Sequence, residues 1–86
     1  MPSREVRISR SAERQLGRLP RDDQLRVARE MLALAEEPFP RGARKLVGYD
    51  DVYRVRVGRD RVLYSVDDDA LIVLVLKIGH RTDVYR

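Results

Sequence analysis

Val52-Tyr53-Arg54-Val55-Arg56-Val57-Gly58-Arg59-Asp60-Arg61-Val62-Leu63-Tyr64-Ser65-Val66 is written in a period of two on either side of a glycine. Successive side chains of an extended chain point to opposite faces. Tyr53, Val55 and Val57 therefore share one face, and Arg54 and Arg56 the other. In the returning arm Val62, Tyr64 and Val66 lie together, opposite Arg61, Leu63 and Ser65. Gly58-Arg59-Asp60 turns the chain between the arms. Pairing Val57 with Val62, Val55 with Tyr64 and Tyr53 with Val66 gathers all the apolar side chains on one side. A slip of one residue would bury arginines against valines, which costs several kcal/mol per unpaired charge. The hairpin is expected to show Arg54, Arg56 and Arg61 on a single outer face.

Beyond the hairpin, Asp67-Asp68-Asp69 reads as a solvated turn, and Ala70 to Ile78 is almost wholly apolar. Such a run predicts a strand buried on both faces at the centre of a sheet. Before the hairpin, Pro38, Pro40 and Gly42 stop a helix expected from Arg21 to Glu36. Its apolar stripe is Leu25, Ala28, Leu32 and Ala35, widened by Val27, Met31 and Leu34, with Arg26, Arg29 and Glu30 on the wet side. Asp22 and Asp23 stand in its first turn, where the helix dipole favours negative charge. A shorter helix capped by Ser9 carries Ala12, Leu16 and Leu19 on one face, and Pro20 divides the two. Val6 and Ile8 alternate with Glu5 and Arg7 in a short first strand. The expected fold is α+β: an N-terminal strand, a two-helix hairpin, then an antiparallel three-stranded meander with the helices on one face of the sheet.

The 86 residues are expected to form a single domain over 1–86. The absence of cysteine excludes disulfides and thiolate chemistry, and a lone histidine, His80, excludes a multi-histidine metal cluster. No apolar run reaches the length of a bilayer span, and Met1 to Arg10 lacks the apolar segment of a secretory signal, so a cytoplasmic location without membrane contact is expected. The formal charge of +4 comes almost wholly from arginine, whose planar fork matches phosphate and stays charged. Three guanidinium groups crowded on one sheet face leave two readings. One is a solvated face neutralised by carboxylates of the helices or of a partner protein. The other is a phosphodiester site, where fixed charge stabilises pentacoordinate phosphorus.

The C-terminal Lys77-Ile78-Gly79-His80-Arg81-Thr82-Asp83-Val84-Tyr85-Arg86 favours the second reading. Together with Tyr53 to Gly58, Arg61 to Tyr64, the acidic turn and the Leu46-Val47-Gly48 approach, it resembles the RelE family of toxin–antitoxin toxins over essentially the whole domain. The resemblance implies a RelE-like fold and a ribonuclease that enters the ribosomal 30S A site and cleaves messenger RNA there. It also implies cleavage without metal or cofactor. The substrate's own 2′-hydroxyl attacks, leaving a 2′,3′-cyclic phosphate. The family's functional positions fall on Arg54 and Arg56 in the first arm, on Arg61 opening the second, and on Arg81 and Tyr85 after the last strand. Arg61 and Arg81 are assigned to grip the scissile phosphate. The best-known member has lysines where Arg54 and Arg56 stand, and an arginine does not give up its proton, so these two stabilise charge. The general base is left between Tyr85 and His80. Arg44, Lys45, Arg59 and Lys77 are candidates for RNA phosphates outside the active centre. Tyr53 and Tyr64 read as core aromatics.

The same fold supports ParE-like poisons of DNA gyrase, which cleave nothing, and also a toxin-fold binding module without activity. Possession of both Arg81 and Tyr85 favours the ribonuclease. A RelB-like antitoxin is expected to wrap the basic face with an acidic or amphipathic segment, with a heterotetramer as one form of the complex.

Overall fold

A computed structural model describes residues 3–80 and, of His80, the backbone alone. The elements are β1 (Glu5–Ile8), α1 (Arg10–Arg18), α2 (Arg21–Ala33), β2 (Arg44–Lys45), β3 (Val52–Val57), β4 (Asp60–Asp67) and β5 (Ile72–His80). They build a mixed five-stranded sheet in the order β1-β5-β4-β3-β2. The strands β3, β4 and β5 form the expected antiparallel meander. To it β1 adds in parallel beside β5, and the short β2 adds antiparallel beside β3, in a stretch whose alternation does not mark it as strand.

One residue separates β1 from α1. Ser9, extended at φ −68 and ψ 159, caps the helix by accepting from the Ala12 N–H. Ala12 is buried, with Leu16 and Leu19 packed against the core, as the spacing predicts. Pro20 then opens α2, where its missing N–H costs no helical bond. The buried stripe of α2 differs from the expected one. Val27, Met31 and Leu34 face the sheet, whereas Leu25 is 46% and Leu32 70% exposed. Both sets have helical spacing. The inward stripe is the one that also carries Asp23, in ion pairing with Arg59 at the hairpin tip. The helix ends at Ala33 rather than Glu36, because its last turn tightens: Ala35 and Glu36 donate to carbonyls three residues back.

The hairpin register also differs. Tyr53 pairs with Tyr64, Val55 with Val62 and Arg56 with Arg61, two residues from the expected alignment. Gly58 takes φ 61 at the first central position of a two-residue turn, the arrangement that matches the twist of the strands, so no longer loop is needed. A slip of two leaves every side chain on its predicted face. The third difference lies in β5, which is next to the centre of the sheet and covered on one face only. Val73 and Val75 are fully buried, while Ile72, Leu74 and Leu76 on the run are half-buried.

A bulge interrupts β5: Tyr64 pairs with Val75, but Leu63 pairs with Lys77, leaving Leu76 as the extra residue. Without it Lys77 would share the inner face of Val73 and Val75. The extra residue inverts the alternation, sending Lys77 outward and Ile78 into the core. That core joins Val27, Met31 and Leu34 to Val55, Val62, Tyr64, Val73, Val75 and Ile78. Tyr64 lies at its middle, its hydroxyl donating to the Pro38 carbonyl at 2.7 Å. Tyr53 stacks on it with centroids 5.9 Å apart, and Phe39 meets Tyr53 edge-on. Both tyrosines are core aromatics, as expected.

Candidate nucleic-acid interface

Since the helices occupy the face of Val55, Val62 and Tyr64, the register determines what the opposite face presents. One row across the strands is Arg44, Arg54, Leu63 and Lys77. The next row is Arg56, Arg61 and Gly79. Arg56 and Arg61 are direct cross-strand neighbours, and like charges so placed destabilise a sheet by themselves. Gly79, the β5 partner of Arg61, adds no side chain of its own to that flank of the arginine pair. Arg56 is exposed, and Arg54, Arg61 and Lys77 are half-buried. Ion pairs among the described residues include Arg4–Asp68, Arg7–Glu5, Arg26–Asp23 and Arg59–Asp23. Arg44, Arg54 and Arg56 take part in none of them. The solvated-face reading offered carboxylates of the helices or of a partner protein, and no helix carboxylate pairs with Arg44, Arg54 or Arg56 among the described residues.

Other candidates stand apart from this cluster. Lys45 pairs with Tyr53 in register and so belongs to the helix-bearing face. Arg59 directs its guanidinium to Asp23 Oδ2 at 3.3 Å, tying the hairpin tip to the first turn of α2. His80 closes β5 opposite Asp60, and its side chain lies outside the described residues, as do Arg81 and Tyr85. In sequence Arg81 follows Gly79 by two residues and Tyr85 by six. Tyr64 is no proton acceptor: burial foremost, then Tyr53, Glu30 and Glu37, push its phenol up to about 12.

A model of the family described as the ParE toxin of type II toxin–antitoxin systems, parDE, matches residues 6–85. The chain belongs to this family. It is a toxin of the RelE/ParE superfamily, and the fold is RelE-like. Toxin RelG of Mycobacterium tuberculosis is 34% identical over 85 residues, 94% of either chain. A chain of the RelBE2 toxin–antitoxin complex of the same organism matches with a TM-score of 0.80 and 29% identity, over 92% of this chain and 99% of that one. For the archaeal RelE–RelB complex of Pyrococcus horikoshii OT3 the TM-score is 0.82 and the identity 31%, over 94% and 98%.

The toxin has one basic residue at this face that sequence reasoning missed. Arg41 joins Arg44, Arg54 and Arg56 around a cleft of ≈ 360 Å³ at the β2 side of the sheet. Arg41 lies in an irregular segment between the prolines and β2, where no periodicity assigns a face. Its proximity to β3 emerges only once β2 is seen to pair there. No helix among the described residues is long and apolar enough to cross a membrane.

Proposed function

We propose that this toxin is a ribosome-dependent endoribonuclease that cleaves messenger RNA in the 30S A site. The observation that carries the reading is the Arg56–Arg61 cross-strand pair on the helix-free sheet face, flanked by Arg54 and Lys77, at the point where the chain runs on to Arg81 and Tyr85. In the proposed reaction the 2′-hydroxyl of the substrate attacks the adjacent phosphorus. The hydroxyl's proton passes to the base, the bond to the 5′-oxygen breaks as that oxygen takes up a proton from water, and the products are a 2′,3′-cyclic phosphate and a 5′-hydroxyl end. Arg56 and Arg61 hold the non-bridging oxygens and offset the charge that grows on them in the transition state. Arginine keeps its proton at any working pH, so neither is the base. Tyr85 or His80 fills that role, and Arg81 adds a further grip on the phosphate. No step requires a metal ion.

The partner that restrains such an enzyme is a RelB-like antitoxin. The RelBE2 and Pyrococcus relatives are solved as complexes with antitoxins, and this chain presents a basic sheet face and exposed Leu25 and Leu32 for an acidic, amphipathic segment. A second reading is favoured by the family model's own name: a ParE-type toxin that inhibits DNA gyrase without cleaving nucleic acid.

Two assays separate them. Added to programmed ribosomes, the protein is expected to cut the A-site codon and leave cyclic-phosphate ends. Arg61→Ala and Arg81→Ala are each expected to lower the rate on the order of 10²-fold, the scale of losing one fixed donor to developing charge. Intact messenger together with blocked gyrase supercoiling would establish the second reading instead.

A further inference from the structure

The cleft bounded by Arg41, Gly42, Arg44, Arg54, Val55 and Arg56 carries more charge than the scissile phosphate needs. Its geometry is fixed locally. The Ala43 N–H donates to the Pro40 carbonyl at 3.0 Å, closing a turn in which Arg41 and Gly42 are the central residues. Gly42 adopts φ 92, the left-handed value that the third position of a type II turn demands. This turn sets Arg41 over the β2–β3 ladder, where Arg44 and Arg54 are directly paired. None of Arg41, Arg44, Arg54 and Arg56 has a carboxylate partner among the described residues. Of the carboxylates near them in sequence, Glu37 accepts from the Phe39 N–H, Asp60 is buried at the hairpin tip, and Asp50 and Asp51 precede β3 at the other end of the strand. Four uncompensated guanidinium groups around one cleft repel one another unless an anion sits among them.

Resting on the ribonuclease reading, we propose that this cleft is a second phosphate site. It would hold a backbone phosphate of the same RNA strand next to the one that Arg56 and Arg61 bind for cleavage. The Arg44–Arg54 row lies about 7 Å from the Arg56–Arg61 row, the two-residue repeat of a strand, a spacing suited to neighbouring phosphates of a single-stranded backbone. Arg56 borders both sites and Arg41 serves only the second. The occupant is a phosphodiester rather than a peptide carboxylate because the cleft shares Arg56 with the reaction centre and continues directly from it; the guanidinium forks that line it supply paired donors to the anion. The second site would hold the strand in register while bond breaking takes place one linkage away.

The test couples a protein change to a single charge on the substrate. Programmed ribosomes receive messenger RNA in which one linkage adjacent to the scissile one, on either side in turn, is a neutral methylphosphonate. With the unaltered toxin, neutralising one of these two positions is expected to lower kcat/KM roughly tenfold, the scale of a lost charge-assisted hydrogen bond. With Arg41→Ala/Arg44→Ala the same loss is expected on native messenger, and neutralising that linkage adds nothing further. Both residues are exposed, so thermal unfolding should be unchanged, and Arg41→Lys/Arg44→Lys should recover part of the activity. Losses that simply multiply overturn the second site while leaving the ribonuclease reading intact. The second site is likewise overturned if the double variant cleaves native messenger normally and loses only antitoxin affinity, which would make the cleft a seat for acidic protein. If the unaltered toxin cuts no messenger at all, the ribonuclease reading fails and the second site with it.

Discussion

Tyr64 shows how one side chain can be both core and lock. Its ring is fully buried, and its hydroxyl holds the Pro38 carbonyl, so the segment leading to the basic cleft is fastened to the middle of the sheet. Burial raises its phenol to about 12, while in the unfolded chain a tyrosine titrates near 10. Between those values the unfolded chain loses the proton and the folded chain keeps it, so unfolding gains as pH rises. The decline that follows, up to about 3 kcal/mol, is absent below pH 10 and complete above about 12. Tyr64→Phe is expected to lose about 1 kcal/mol at neutral pH with the Pro38 bond and to flatten that alkaline decline. Urea unfolding at stepped pH measures both, and an unchanged alkaline profile would refute the assignment. Tyr64 was legible as core because it alternates with Val62 and Val66. The outward positions of Arg54, Arg56 and Arg61 were legible for the same reason. Arg59 was not: a turn residue has no alternation to place it, and only the packing of α2 shows that Asp23 claims it.

Segments, unlike single residues, depend on neighbours far away in the chain. The last partner of β1 on β5 is the Ile8–Val75 pair, so beyond it β5 has no strand on that side. α1 takes over that edge. The Ser9 N–H donates to the Val75 carbonyl, Ser9 Oγ donates to the Leu76 carbonyl at 2.9 Å, and the Ile78 N–H donates to Gln15 Oε1 at 2.8 Å. These bonds satisfy backbone groups around the bulge, which is what allows Lys77 to turn outward and Ile78 inward. Gln15→Ala leaves the Ile78 N–H without its acceptor in a residue only 2% exposed, at an expected cost of about 1–3 kcal/mol. Gln15→Glu keeps an oxygen in place and should retain most of that stability; equal midpoints for all three proteins in urea would show the bond to be idle. None of this was readable beforehand, since a run apolar from Ala70 to Leu76 hides a change of parity. The hairpin's faces were readable and its register was not, because a slip of two exchanges partners without exchanging faces. The rotation of α2 was hidden likewise: Leu25 and Leu32 have helical spacing as good as that of Val27, Met31 and Leu34.

Charge is sorted along the whole sheet in a way that the net +4 conceals. The hairpin-tip end carries Arg56 and Arg61, with Arg54 and Lys77 behind them, whereas the opposite end gathers Asp51, Asp67, Asp68 and Asp69 around a cleft of ≈ 450 Å³. Such a molecule presented to RNA is drawn in by one end and repelled at the other, so the field orients it before contact. If the face neutralises two neighbouring phosphates, one held by Arg56 and Arg61 and one by the Arg41, Arg44 and Arg54 cleft, log kcat/KM should fall against log monovalent salt with a slope of about −1.4 at constant magnesium. That amounts to roughly 7-fold between 50 and 200 mM, the signature of counterions released from a single strand. Asp67→Asn/Asp69→Asn should raise kcat/KM at low salt yet leave kcat at saturating ribosomes unchanged. Those carboxylates act on approach, and they stand at the far end of β4 from Arg61. A flat salt profile would mean that the basic face does not meet phosphate during capture. A fall in kcat for the double variant would mean instead that the acidic end touches the reacting complex rather than steering it.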